Sequence, residues 1–519
     1  MRREISDFLA TDTIEIVPRS SLPLDNKPLQ AIWSFRRKRL PDWSIQKYKA
    51  RLCPHGGMQE EGINFWETYA PVVSWRTVRL TLILSLISGL KSRQVDYVSA
   101  YTQAPLDCEI FMNIPPGFIV KDNTLQFTSS STKGNSTTHV LRLKKNVYGL
   151  RQAGNNWFDH LRSSLLTRGF LQSAIDPCLF TRKVCVLIVY VDDCLLFAKT
   201  DAILDNLITS LQSDFNLTTQ GDVGAFLGVD IQRNPDGHLE LIQPGLIRKI
   251  ISLCGLETES NAHKTPATSI LHADLDGPDR EQQWNYRTII GMLPYLSTST
   301  RPDIAFAVHQ CARFSTHPKR LHELAVRRIV RYLKGTSSKG YILRPSSTHH
   351  NLDCYVDADF AGLWSPSTSS DPISVKSRTG FVITFASCPV FWCSKLQTEI
   401  ALSTTEAEYI AMSQAARDLI PMRDLLHEFS KVTKLIVGDT VAHSTIYEDN
   451  RGCVELANAP KLRPRTKHIG IKYHHFHSHV ASGAIKIQWI DSKHQLADIF
   501  TKPLALSSFE FLRSLLLGW

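Results

Sequence analysis

The sequence predicts a mixed α+β protein of several domains, and three observations carry that expectation. Apolar runs of strand length recur in pairs around turn residues, as in VCVLIVYVDDCLLFAK and AFLGVDIQRNPDGHLELIQ. Longer stretches such as TVRLTLILSLISGL and RLHELAVRRIVRYLKG have the length of helices. A chain of 519 residues, 43% hydrophobic and 21% charged, is long enough for roughly three or four domain-sized cores.

In chain order, TVRLTLILSLISGL is expected as a buried helix and SRQVDYVSAYTQA as a strand running into a helix, with an acid where they meet. EIFMNIPPGFIV and VLRLKKNVYGL read as strand-like runs, separated by a polar surface loop from Thr128 to His139. Two antiparallel hairpins follow, the second turning at Asn-Pro-Asp-Gly. A strongly basic helix then leads to the break KGTSSKG, and SPSTSSDPISVKS (Ser365 to Ser377) is expected to be a hairpin loop in the last domain.

A net charge of +10 and a pI near 9.0 favour a polyanionic partner, because Lys and Arg that neutralise phosphates release counterions. The 11 cysteines contain no C-x-x-C pair, which argues against a zinc ribbon or a disulfide framework and for reduced thiols. The first residues lack an apolar signal core and the longest apolar run is too short to span a bilayer, so a soluble intracellular protein is expected, with the Asn135 sequon bearing no sugar.

Asp192 and Asp193 sit inside an apolar hairpin, where a pair of charges is expensive unless compensated. One reading is a turn that happens to hold two acids. The other is a set of hard oxygen ligands for Mg2+ able to serve phosphoryl displacement, with Asp96 as a third acid at the end of a nearby strand. Tyr101, five residues beyond Asp96, is placed to press on the sugar of an incoming nucleotide and to reject a 2′-hydroxyl.

The stretches KYKARLCPHGGMQEEGINFWETYAPVVSWRTVR, QVDYVSAYTQAPLDCEIFMNIPPGF, KKNVYGLRQAGNNWF, YVDDCLLFA and FLGVDI resemble, in order and spacing, a copia-type retrotransposon reverse transcriptase. The resemblance covers nearly the whole chain. It implies a right-hand polymerase of fingers and palm in residues 1–245 and a thumb or connection in 246–345. An RNase H-like α/β domain would follow in 346–519. It implies that Asp96, Asp192 and Asp193 bind two Mg2+ ions, with Asp96 and Asp192 the principal ligands. Tyr101 matches the family's sugar gate, Lys49 and Arg51 the basic fingers residues near the triphosphate, and Gln152 the glutamine lining the nucleotide pocket. FLGVDI (Phe226 to Ile231) resembles the primer grip, and Gly154 departs from the family's usual Gln-Ala-Pro.

A second spread of acids follows the basic helix: Asp357 at a strand end, Glu408 on a helix, Asp449 before another helix and Asp498 near the C-terminus. With RTKHIGIKYHHF between the last two, they resemble the RNase H domain of the same elements. The resemblance implies two Mg2+ ions there, serving cleavage of RNA paired to DNA. Asp359, Glu406 and Glu448 are close alternatives; Glu408 is preferred because EYIA sets small and apolar residues on the inward helical face. KYHHFHSHV is expected as a basic strand rather than a zinc site, since no cysteine lies at ligand spacing. His494 is a candidate for product release. Lys319, Arg320, Arg327, Arg328, Arg331 and Lys334 are expected either to track phosphates between the sites or to form a solvated helix face.

The resulting expectation is an RNA-directed DNA polymerase joined to an RNase H, using Mg2+ with Mn2+ as substitute. Its partners would be RNA template, DNA primer, RNA-DNA hybrid and deoxynucleoside triphosphates. It would be part of a Pol polyprotein whose protease and integrase lie outside this sequence, working in a cytoplasmic virus-like particle or in the nucleus without a membrane. The alternative is an inactive or domesticated remnant that only binds nucleic acid.

Overall fold

The apolar run around Asp192 and Asp193 folds as the centre of a six-stranded sheet. A computed structural model describes the chain apart from residues 24–25, 40–44, 129–137, 184, 260, 369–370, 434–443 and 460–470. Most of the expected Thr128–His139 loop, with the Asn135 sequon, and all of RTKHIG lie outside the described residues. The chain divides into two units, Met1–Val73 with Ser92–Asp222, and Ser74–Lys91 with Val223–Trp519.

In the first unit, helix α1 (Arg2–Ala10) precedes β1 (Ile14–Pro18), and β2 (Ala31–Arg39) pairs with β3 (Ile45–Pro54) as an antiparallel ribbon. Strands β4 (Lys91–Tyr97), β5 (Pro105–Met112), β6 (Phe118–Lys121), β7 (Thr124–Phe127) and β8 (His139–Lys145) follow. After helix α3 (Ala153–Thr167) come β9 (Leu171–Gln172), β10 (Leu179–Arg182), β11 (Cys185–Tyr190) and β12 (Asp193–Ala198), then α4 (Asp201–Gln212) and β13 (Leu217–Gly221). The main sheet has the order β13-β4-β12-β11-β10-β9, and a second one the order β1-β8-β5. Every residue from Cys194 to Ala198 is buried, as a central strand covered on both faces requires. Thr200 caps α4 by accepting the Ile203 amide.

The second unit starts from α2 (Trp75–Ile87), the helix expected from TVRLTLILSLISGL, which packs on a strand far along the chain. Strands β14 (Ala225–Phe226), β15 (Val229–Arg233) and β16 (Leu239–Ile242) form the expected hairpin, with an additional turn at Leu227 and Gly228, whose φ angles are 51° and 70°. FLGVDI lies on that turn. Helices α5 (Pro244–Leu253), α6 (Tyr286–Ser299), α7 (Ala305–Ala312) and α8 (Arg320–Gly335) come next, and β17 (Tyr341–Leu343) adds to the edge of β16.

A five-stranded sheet of order β20-β19-β18-β21-β22 closes the unit, with β18 (Leu352–Asp359), β19 (Arg378–Phe385), β20 (Cys388–Leu396), β21 (Ser444–Glu448) and β22 (Ile485–Trp489). The β18-β19-β20 meander is antiparallel, while β18, β21 and β22 run parallel. The long α9 (Thr404–Thr433) crosses β18 and β19, and the short α10 (Arg451–Asn458), α11 (His477–Ala481) and α12 (Leu506–Leu517) complete the fold. The partner of α2 is β20: Arg79, 1% exposed, donates to the carbonyls of Val390 (3.0 Å) and Ser299 (2.8 Å) and lies 4.1 Å over the Trp392 ring. Burial pushes its guanidinium down to about 10. No helix among the described residues is long and apolar enough to cross a membrane.

Two expectations are corrected. The basic residues of α8 are engaged within the unit rather than open as a track. Lys319 pairs with Asp279 (2.7 Å), Arg320 with Glu281 (2.8 Å), and both Arg327 (2.5 Å) and Arg331 (2.7 Å) with Glu259. Arg328 donates to Thr265 (2.9 Å), Lys334 to the carbonyls of Leu256 (2.7 Å) and Glu257 (2.8 Å), and Tyr332 is fully buried. The KYHHFHSHV stretch is a 3-10 turn followed by α11, not a strand. Phe476 is buried, and the Tyr409 hydroxyl lies 2.6 Å from His474 Nδ1 and 2.7 Å from His477 Nε2, so contacts to α9 select the helical form.

Candidate active sites

In the first unit the turn between β11 and β12 is two residues long, because Tyr190 pairs with Asp193 and leaves only Val191 and Asp192 outside the ladder. Such a turn demands positive φ, and Val191 supplies it at 53°, an unfavourable angle for a β-branched side chain. The turn is anchored from two sides. Trp157 of α3 donates its indole N–H to the Val191 carbonyl (2.6 Å), and the Tyr97 amide donates to the Asp192 carbonyl (2.9 Å). Tyr97 and Phe215 pack edge-on to Trp157 at 5.1 and 5.6 Å. Since Asp96 precedes Tyr97, this bond sets Asp96 beside Asp192.

The three carboxylates repel one another. Burial, then Asp192 and Asp96, push Asp193 up to about 6. Tyr101 lies on the 3-10 turn after β4, its ring 4.6 Å from that of Tyr148. Arg51 stacks its guanidinium 3.9 Å over the other aromatic partner, Tyr148. Burial raises both tyrosines, Tyr148 to about 12, with Asp192 adding to each. Lys49, two residues from Arg51 on β3 and hence on the same face, is lowered by burial and by Arg51, while Glu4 and Asp192 oppose the shift. A Cβ on Gly154 would stand 3.3 Å from Ala70 and 3.9 Å from the Tyr101 hydroxyl, so the glycine leaves room beside that ring.

Gln152 does not line the pocket with its amide. It is fully buried, donates to the Asn64 carbonyl (2.9 Å) and accepts from Gln59 (2.9 Å). Its donor and acceptor are spent on holding the segment before α3, as buried amides require.

In the second unit, Asp357 lies two residues before the end of β18, Glu408 lies in the first turns of α9, and Asp449 follows β21. One ligand oxygen from each falls within 4.8 Å of the others, the only such acidic group among the described residues. The Asp96, Asp192 and Asp193 trio is more open than this. Burial and then Glu448, Asp357 and Asp449 raise Glu408 well above the carboxylate range. Neither Glu408 Oε2 nor Glu448 Oε2 has a hydrogen-bond partner among the described residues. A buried oxygen without a donor is costly, and a cation would satisfy it.

Asp498 is not in the 4.8 Å group but hydrogen-bonds Asp357, and Lys502 holds it at 2.9 Å and reaches Asp357 at 3.7 Å. Burial and Asp357 raise Asp498 to about 7. Thr501 donates to Asp357, and Ser492 to Asp449 (2.6 Å). Of the alternatives, Glu406 accepts the Leu402 amide (2.8 Å) at the start of α9, and Asp359 lies outside the trio. Glu448 is buried directly behind it and accepts the Asn450 amide (3.0 Å). His494 is exposed on a 3-10 turn. Tyr148, Trp157, Thr501 and Lys502 were not singled out from the sequence; only the presence of Tyr148 and Trp157 in KKNVYGLRQAGNNWF pointed toward them.

Residues 13–269 match the family model for reverse transcriptase (RNA-dependent DNA polymerase). A retrovirus-related Pol polyprotein from transposon RE2 of Arabidopsis thaliana is 32% identical over 518 residues, 98% of this chain. The chain carries a reverse transcriptase domain and is similar over nearly its whole length to copia-type Pol polyproteins of plant transposons. Another Pol polyprotein of that group, from transposon TNT 1-94 of Nicotiana tabacum, is 30% identical over 99% of the chain. The copia-type chain described here spans about a third of the length of these relatives, 33% and 37%. Among solved structures, a foamy viral protease-reverse transcriptase in complex with RNA/DNA hybrid aligns with 96% of this chain and 54% of its own at 12% identity, TM-score 0.46. The fold is that of a right-hand polymerase unit followed by an RNase H-like sheet with α9 across it.

Proposed function

We propose that this chain copies RNA into DNA and cleaves the RNA strand of the resulting hybrid. The observation that supports this best is the pairing of two acidic centres in one copia-type chain: Asp96, Asp192 and Asp193 on neighbouring strands, and Asp357, Glu408 and Asp449 within 4.8 Å. The all-carboxylate donor sets and the unpartnered Glu408 oxygen fit hard divalent cations, two Mg2+ per centre with Mn2+ as substitute. When bound, such ions lower the pKa of an attacking oxygen and stabilise a leaving one.

In the polymerase centre, Asp96 and Asp192 would be the principal holders of the cations, with Asp193, raised by burial and by Asp192 and Asp96, as the third acid. Tyr101, backed by Tyr148 and given space by Gly154, meets the sugar of the incoming deoxynucleoside triphosphate and excludes a 2′-hydroxyl. Arg51 and Lys49 face the triphosphate charge, and the Leu227–Gly228 turn supports the primer. In the nuclease centre, Asp357, Glu408 and Asp449 hold the cations. Asp498 and Lys502 move or retain a proton at its edge, and His494 serves product release.

On this reading, residues 1–245 act as fingers and palm, 246–345 as thumb and connection, and 346–519 as RNase H. The chain works on RNA template, DNA primer and hybrid as part of a Pol polyprotein with protease and integrase, inside a cytoplasmic particle or in the nucleus. The deciding experiment is Mg2+-dependent extension of a labelled DNA primer on an RNA template, with RNA length followed in the same tube. Extension with template cleavage supports both centres; tight hybrid binding with neither reaction by a folded chain supports the binding-only remnant.

A further inference from the structure

At the start of β19 the fold buries a guanidinium that forms no ion pair among the described residues. Arg378 is 3% exposed. Its Nη1 donates to His309 Nδ1 (2.8 Å) and to Ser394 (3.3 Å), while its Nη2 has no hydrogen-bond partner among the described residues. His309, on α7, cannot neutralise it: burial, Arg378 and Arg313 push that imidazole down to about 3, so it offers a lone pair and no charge. One helical turn beyond His309 comes Arg313, half-buried, and its Nη1 is also unpartnered among the described residues.

The aromatic faces of Phe306, 5.1 Å from Arg378, and Phe314, 5.0 Å from Arg313, are the only π partners of these two cations among the described residues. Asp359 and Asp371 act on them through space, yet no ion pair forms with either acid among the described residues. Two like charges taken out of water repel strongly, and removing them from solvent without an anion is unfavourable. Guanidinium forks match phosphate oxygens in geometry and charge.

The location agrees with that chemistry. In the β18-β19 ladder Arg378 stands opposite Asp359 and Gly380 opposite Asp357, so the guanidinium starts two residues, roughly 7 Å, along the strand from the nuclease acids. We propose that Arg313 and Arg378, with His309 between them, bind one phosphate of a nucleic-acid strand lying across the Asp357, Glu408 and Asp449 centre. Arg313, the more exposed of the two, makes the direct contact and Arg378 adds its charge from behind. This inference rests on the nuclease reading above.

The test is hybrid binding by the full chain at a series of salt concentrations, without divalent cations. Each phosphate contact contributes about 0.9 to the slope of log affinity against log salt, so Arg313→Gln should reduce the slope by about that amount and weaken binding. Arg313→Lys should keep the slope. Arg378→Gln should act in the same direction, and if it fails to fold the two Arg313 variants still decide. Wild-type slope and affinity in Arg313→Gln would overturn the site. Inorganic phosphate that stabilises the wild type and not Arg313→Gln, with unchanged slopes, would also overturn the nucleic-acid assignment, in favour of a free-phosphate site. A wild-type chain that binds no hybrid would instead overturn the nuclease reading itself, and the site with it.

Discussion

Trp157→Phe isolates the contribution of one hydrogen bond to the polymerase turn. The substitution keeps an aromatic ring against Tyr97 and Phe215 but removes the N–H that Trp157 gives to Val191. A carbonyl left without its donor costs about 1–3 kcal/mol, and the φ of 53° at Val191 stores strain of about 1–3 kcal/mol that this bond helps to contain. If the turn relaxes and carries Asp192 with it, a loss of that size in transition-state stabilisation lowers kcat by roughly five- to 150-fold. The smaller ring also lowers stability by about 1 kcal/mol through the space it vacates. Single-nucleotide incorporation at saturating primer-template measures the effect, with kcat and KM separated. Val191→Gly in the Trp157→Phe background, which removes the strain, should recover part of the rate. A Trp157→Phe protein with lowered Tm but unchanged kcat and KM would show that the indole serves packing alone.

Asp192→Asn should abolish primer extension while leaving primer-template affinity within about threefold, as judged by filter binding in the absence of divalent ions. Glu408→Gln should stop RNA cleavage and spare extension. Glu406→Gln, which weakens the bond from the Leu402 amide, should cost about 1 kcal/mol of stability and leave cleavage intact; the reverse pattern would mean that the other acid serves the centre. Because folding raises Asp193 to about 6 and Asp498 to about 7, these two carboxyls hold more protons folded than unfolded from roughly pH 4 to 7. Their contribution to stability without divalent ions therefore falls as pH rises through that window, and the Tm gain from Mg2+ should be larger at pH 7.5 than at 5.5. An equal gain at both would contradict it. Arg327→Ala, which breaks a pair with Glu259, should leave the salt dependence of hybrid binding unchanged.

How much of this was legible in the sequence depended on whether the partner was local. The hairpin around Asp192 announces itself, since period and turn chemistry are contained in sixteen residues, and Asp357, Glu408 and Asp449 each sit at a recognisable element boundary. The choice between Glu408 and Glu406 came from the face of a single helix, which the sequence does encode. Gln152 misled because burial depends on Asn64 and Gln59, about ninety residues earlier. The α8 cations misled for the same reason: Glu259, Asp279 and Glu281 lie in irregular chain before it, and nothing local marks them as partners. The His474 region was read as a strand because its packing on Tyr409 is a tertiary fact. Trp157 was present in a quoted motif, but only the structure gives its N–H a destination.

The placement of α2 sets a timetable for the ribosome. Nine consecutive residues of this helix, Thr77 to Ser85, are buried, and Arg79 completes its bonds with Val390, 311 residues later. At about 5–20 residues per second, that partner emerges roughly 15–60 s after the helix does. Throughout this interval the side of the helix that faces β20 lacks that partner. A recombinant piece ending at residue 245 would leave that side of the helix uncovered by β20 and Arg79 without the Val390 and Ser299 carbonyls.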